Sequence, residues 1–119
     1  MLRLKRAYAQ PAPEDGKRIL VDRLWPRGLA KAAARIDAWY KHLAPSDALR
    51  RDFGHVQDKW PAFRQGYLKE LAGLSGEGRR ELDGLAAMAG QDTVTLCFAA
   101  HDVDHNNAVV LREYLQSQG

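Results

Sequence analysis

Apolar and polar positions alternate or cluster along this chain in a way that predicts most of its elements. Leu2 and Leu4, followed by Ala7 and Tyr8, alternate with Arg3, Lys5 and Arg6, which predicts a strand over 2–7 with one polar face. The run "RILVDRL" is apolar and turns polar at Asp22-Arg23, which predicts a buried strand over 19–23 whose end emerges from the core. "TVTLCFAA" predicts the clearest strand, over 93–99. Helical spacing follows Ile36, Trp39, Tyr40 and Leu43 and ends before Pro45. Ser46 can cap a short helix, "SDALRRDF", that Gly54 closes. The longest helix is expected to start near Asp58, with Phe63, Tyr67, Leu71 and Leu74 on one face. A further helix carries Leu82, Leu85 and Met88 and stops at Gly90, and the last starts near Asn106.

Strands separated by long helical stretches predict one α/β domain over 1–119. Its short parallel sheet, of about three or four strands, is covered by helices. In such sheets ligands sit beyond the carboxyl ends of the strands. Two strands end there in polar clusters, "DRLWPRG" and "HDVDHNN". The topology that makes the sheet parallel also brings these clusters to one edge.

Charge sharpens this picture. The formal net charge of +3 hides an asymmetry. Residues 1–51 carry twelve Lys/Arg against five Asp/Glu, and residues 52–119 carry six against ten. Twelve of the eighteen cations are arginine, which suits bidentate grip on phosphate or carboxylate. The excess is modest and spread along the chain, so a surface that pairs with the acidic half outweighs a nucleic-acid stripe. The single cysteine, Cys97, lies in an apolar strand and reads as a buried thiol. The start of the chain has too short an apolar run for a signal peptide, and no stretch approaches a membrane span. A cytoplasmic setting is the expectation.

Each cluster has a structural and a functional reading. Pro26 and Gly28 stiffen and shape a loop that carries Arg27, so Arg23 and Arg27 can hold an anion; equally, Asp22 and Arg23 can be buried ion pairs at a strand end. His101 and His105 have a metal-like spacing only if helical, and the segment reads as a loop up to Asn106. No third ligand is near, so no metal is expected. No glycine-rich fingerprint is present either, so no cofactor is expected. Asp104, Asn106 or Asn107 can cap the last helix. Trp39 and Trp60 lie on apolar helical faces and read as core; Trp25, beside Pro26, either stacks a ligand ring or fills the core.

The segments "DGKRILVDRLWPRGLAK", "IDAWYKHLAPS", "LRRDFGH", "WPAFRQGYLKEL" and "VTLCFAAHDVDHNNAVVLREYL" resemble, in order and over nearly the whole chain, the YeaO-like family of uncharacterised bacterial proteins. The resemblance implies a small cytoplasmic α/β domain and one shared site. The wider group looks to carry a "DVR" strand end and a "CHR" loop, places taken here by Asp22-Arg23 and His105-Asn106. His101 stands where a lysine is more usual, and Cys97 does not correspond to the loop cysteine, so a cysteine nucleophile is unsupported.

The functional expectation is therefore a polar pocket that binds or acts on an anionic or nucleotide-like small ligand. His105 is the acid/base candidate, with Asp22 or Asp102 orienting it. Arg23, Trp25, Arg27, Gly28, His101, Asn106 and Asn107 are the expected binding residues. A nucleic-acid-binding module using the basic N-terminal half, with Arg50 and Arg51 on a short helix, is the alternative; Asp47 and Asp52 on that helix weaken it.

Overall fold

The computed structural model describes residues 1–118; Gly119, the last residue of the expected domain, lies outside them. Four strands form one sheet: β1 (Leu2–Arg6), β2 (Lys17–Leu20), β3 (Ala38–Trp39) and β4 (Val94–Phe98). Their order is β1-β4-β2-β3, and each neighbouring pair is parallel. The three apolar runs thus pair as expected. The central strand β4 sets Leu96 opposite both Leu4 and Ile19.

Every residue of β4 is buried, because both faces of the sheet are covered. Val94, Leu96 and Phe98 join Ile19 and Val21 in the main core. Four helices close that core: α2 (Asp47–Phe53), α3 (Trp60–Ala72), α4 (Gly76–Gln91) and α5 (Asn107–Gln118). Phe63, Tyr67 and Leu71 of α3 pack there with Leu82 and Leu85 of α4 and Val110, Leu111 and Leu115 of α5. On the opposite face Leu20 and Cys97 meet Ala7 under Trp25, Leu29, Ile36 and Trp39. That cover is the segment leaving β2, with one short helix at Lys31–Ala34 (α1). No described helix is long and apolar enough to cross a membrane.

The caps of α2 follow the sequence signals. Ser46 Oγ accepts the Leu49 N–H at 3.2 Å, and Gly54 ends the helix at φ 52°. Two expectations are corrected. The helical spacing from Ile36 to Leu43 is not a helix but β3 followed by a 3₁₀ turn over Lys41–Leu43. Tyr40 N–H donates to the Leu20 carbonyl at 2.9 Å, so the segment completes the sheet edge. Its apolar residues divide between the two faces: Tyr40 and Leu43 enter the main core, whereas Ile36 and Trp39 cover the other side. The second correction is that α4, with 16 residues, is longer than α3, with 13. A 3₁₀ turn over Gln57–Lys59 takes up the expected start, and Pro61 sits in the first turn of α3.

A buried charge network lies at the amino edge of the sheet. Arg18 Nη1 donates to Asp15 Oδ2 at 2.7 Å, and Arg18 Nε to the Ala34 carbonyl at 3.0 Å. Lys5 Nζ reaches both Asp15 oxygens at 3.1 Å, and the Ala12 N–H adds a fourth bond. Burial pushes the Asp15 carboxyl up, but the bonds from Ala12, Lys5 and Arg18 outweigh it and leave it below the usual value. Its stabilisation is therefore present above the unfolded carboxylate pKa and is lost as pH falls through the lower folded value. Asp15→Ala leaves Arg18 uncompensated and should cost about 3–5 kcal/mol at pH 7. Urea unfolding checks this; a loss below about 1 kcal/mol would show that water already compensates Arg18.

Candidate functional site at the carboxyl edge of the sheet

The site is assembled around Asp22. The Val21 N–H still pairs with the Cys97 carbonyl at 3.1 Å, and the chain then leaves the sheet. Asp22 Oδ2 accepts the Ala99 N–H at 2.9 Å, just past β4. Asp22 Oδ1 accepts the Asn107 side-chain amide at 3.0 Å, at the start of α5. The same amide donates to the Val21 carbonyl at 3.0 Å. Trp39 Nε1 donates to the Asp22 carbonyl at 2.7 Å. One residue thus joins the exits of β2 and β4, the strand β3 and the first turn of α5. Burial raises the Asp22 carboxyl; the bonds from Ala99 and Asn107 and the charges of Arg50 and His55 only partly offset it.

Asp102 shapes the second cluster. Its Oδ1 accepts the N–H groups of Asp104 (2.9 Å) and His105 (3.1 Å), and its Oδ2 lies 3.0 Å from His105 Nδ1. These bonds hold its carboxyl below the ordinary range. Asn106 ties the loop to the helix: its amide donates to the Asp102 carbonyl at 2.9 Å, and its Oδ1 accepts the Val109 N–H at 3.2 Å. The helix-capping reading of Asn106 therefore holds.

Both clusters face one cleft of about 1000 Å³. Asp22, Arg23, Trp25 and Arg27 line it from the β2 side. His101, Asp102, Asn106 and Asn107 line it from the β4 side. A third wall comes from α2 and the turn after it, with Arg50, Arg51, Phe53 and His55; Tyr8, following β1, adds a fourth. Gly28, at φ 75°, does not line the cleft but lets the Arg27 loop turn.

His105, the expected acid/base candidate, stays bonded to Asp102. It is absent from the cleft wall, and its ring meets Trp60 edge-on at 5.1 Å between centroids. The turn around Asp102 folds the imidazole back toward α3. Trp25 is held by its Nε1 bond to the Leu29 carbonyl at 2.7 Å and by an edge contact with Trp39, as a packing residue would be. Neither His55 nor Tyr8 is among the site residues expected from the sequence. His55 follows Gly54 in the left-handed region at φ 59°, a turn that the glycine alone announces. Cys97 is buried, and burial pushes its thiol up to about 11, so it is no nucleophile. Among the described residues no group of three or more His, Cys, Asp or Glu could hold a metal ion.

The cations differ in what they already hold. Arg23 Nη2 donates to the Ala44 and Pro45 carbonyls at 3.3 and 3.4 Å. Arg50 Nη2 donates to Asp47 at 2.8 Å. Arg27 is exposed, and its guanidinium has no hydrogen-bond or ion-pair partner among the described residues; only its carbonyl is engaged, by Tyr8 Oη at 2.7 Å.

A family model described as the inactive DUF488-N3 subclade matches residues 1–118. The chain belongs to that subclade. It is 43% identical over 117 residues to the uncharacterised protein YeaO of Escherichia coli K12, covering 98% of this chain and 97% of YeaO. It is 33% identical over 117 residues to uncharacterised proteins of Mycobacterium bovis and of Mycobacterium tuberculosis H37Rv, covering 98% of this chain and 95% of each relative. No solved structure matches it significantly. The YeaO-like resemblance drawn from the sequence segments is thereby established.

In this member of the subclade, both oxygens of Asp22 are committed to the protein. Asp22→Ala strands the Ala99 N–H and the Asn107 amide and should cost about 1–3 kcal/mol. The pH dependence has a definite sign. A carboxyl raised in the folded state contributes most below its unfolded pKa and loses that contribution as pH rises through the folded value. The deficit of Asp22→Ala relative to the native chain should thus be larger at pH 4 than at pH 7, as read from paired urea midpoints. An equal deficit at both would contradict the raised carboxyl.

Proposed function

We propose that the chain binds an anionic small ligand in this cleft and holds it without chemical turnover. The observation that carries the reading is the free Arg27 guanidinium at a cleft where four arginines meet only two aspartates. Those two carboxylates are already occupied: Asp22 by Ala99 and Asn107, Asp102 by its own turn. An anion entering the cleft therefore meets guanidinium groups before it meets free carboxylate. Arg27 is the primary contact and Arg51, also exposed, a second. Charge-assisted bonds of this kind are strong and directional.

Binding without turnover fits the chemistry of the walls. Cys97 is buried and protonated, and the His105 ring packs edge-on against Trp60. Among the described residues, the cleft histidines His55 and His101 have no hydroxyl or thiol hydrogen-bonded to them. The description of the subclade as inactive supports the same reading. Phe53 and Phe63 form an apolar floor, so the ligand has an uncharged part as well.

Calorimetry with inorganic phosphate and ribose 5-phosphate tests the anion contact. Arg27→Ala should weaken ribose 5-phosphate binding by about 1.5–3 kcal/mol, the range for a hydrogen bond to a charged group. Its thermal stability should barely change, because an exposed side chain without partners contributes within about 0.5 kcal/mol. A variant that instead binds normally and melts several degrees lower would make Arg27 a structural residue.

A further inference from the structure

Tyr8 is a rigid aromatic platform that neither the fold nor the anion contact requires. It is 40% exposed, yet it lines the cleft. An exposed tyrosine is ordinarily free to turn, but this one is held at two points. Its hydroxyl donates to the Arg27 carbonyl at 2.7 Å. The Arg6 guanidinium lies over its ring, 5.0 Å from the centroid. Arg6 is itself fixed, through Nε to the Ala100 carbonyl at 2.9 Å and through Nη2 to the Ala99 carbonyl at 3.0 Å. Cation–π backing occupies one face of the ring. No second aromatic ring packs on Tyr8 among the described residues. The entropy of ordering this ring is therefore already spent before any ligand arrives.

The placement of Tyr8 beside Arg27 is specific. The hydroxyl bond fastens the ring to the backbone of the residue whose guanidinium is free. A flat ring and a cation thus leave one knot on the wall of the same cleft. A nucleotide has the matching layout, with a planar base and a phosphate joined across a ribose.

Resting on the anion-binding reading of the cleft, we propose that its ligand is a nucleotide, with the base stacked on Tyr8 and the phosphate held by Arg27. Base–aromatic stacking tolerates any base, since each has a π-face. The site therefore discriminates nucleotides from sugar phosphates more than it discriminates among bases. Leu24, 65% exposed on the cleft wall, extends the apolar surface available to the base.

The test compares adenosine 5′-monophosphate, ribose 5-phosphate and inorganic phosphate by calorimetry, with a single-stranded octaadenylate as a fourth probe. The native chain should bind the mononucleotide at least about ten-fold more tightly than ribose 5-phosphate, within the range for stacking one base. Tyr8→Leu should bring the two within about two-fold; because it also removes the bond to the Arg27 carbonyl, the ratio of the two affinities is the readout. Tyr8→Phe keeps the ring and should retain most of the preference, which separates stacking from the hydroxyl tether. Circular dichroism of both variants controls for folding. Equal affinities for adenosine 5′-monophosphate and ribose 5-phosphate in the native chain would overturn the nucleotide inference and leave the anion reading standing. If no phosphate-bearing probe binds, the anion reading fails with it. Octaadenylate that binds much more tightly than the mononucleotide, with a steep salt dependence, would place the same nucleotide unit within a strand; comparable affinity would mean it is taken free.

Discussion

The carboxylate of Asp22 is the constraint on which the carboxyl edge of this sheet depends. Strands leaving a parallel sheet abandon their ladder, and each exit leaves backbone groups in need of partners. Here one side chain supplies two acceptors at once, to the Ala99 N–H and to the Asn107 amide. In asparagine one of those oxygens would become an NH2 donor facing a donor. The cost is the desolvation of a charge, visible as the upward displacement of its carboxyl. What that cost secures is register: β2, β4 and α5 meet within a few ångströms although Asp22 and Asn107 are 85 residues apart in the chain.

The sequence made this edge readable for a physical reason. Apolar strands that turn polar within one residue must end where the core ends, and parallel pairing puts such ends together. Asp22 and Asp102 were both legible as polar groups at strand exits. Their roles were not, because whether a carboxylate is free or saturated depends on donors far away in sequence. The segment around β3 misled for a related reason. Ile36, Trp39, Tyr40 and Leu43 fall at helical intervals, but residues that divide between two faces of a sheet can produce the same spacing. Tyr8 carried no signal at all: it is one aromatic residue at the end of a strand, and only the Arg27 carbonyl and the Arg6 guanidinium make it a fixed surface.

The basic excess of the first 51 residues resolves into two unlike destinations. Arg18 is consumed at the amino edge of the sheet by Asp15. Arg23, Arg27, Arg50 and Arg51 converge instead on the cleft at the opposite edge. Of the acidic second half, Asp102 lines that cleft with them. Several of its carboxylates pair elsewhere, Glu113 with Arg64, Asp83 with Arg79, Glu77 with Arg80 and Glu81 with His42. Such surface pairs contribute little to stability. At the cleft itself Asp47 faces Arg23 at 3.8 Å and Arg50 at 2.8 Å, which leaves Arg27 and Arg51 as the lining arginines without an ion-pair partner among the described residues.

The wall opposite the strand exits carries stored strain. Gly54 and His55 both adopt the left-handed region, at φ 52° and 59°. For glycine this costs nothing, whereas a residue with a Cβ pays about 1–2 kcal/mol. A helix can be ended by the glycine alone, so the second left-handed residue is not explained by capping α2. What it does is bring the His55 ring to 5.6 Å from Phe53, on the cleft wall. Strain of this kind persists only where the surrounding structure over-determines it. The stack of Phe53 on Phe63 at 4.6 Å supplies that support from beneath. The Phe53–Phe63 stack, the left-handed His55, the pinned Tyr8 and the saturated Asp22 together fix the shape of the cleft through contacts within the protein itself.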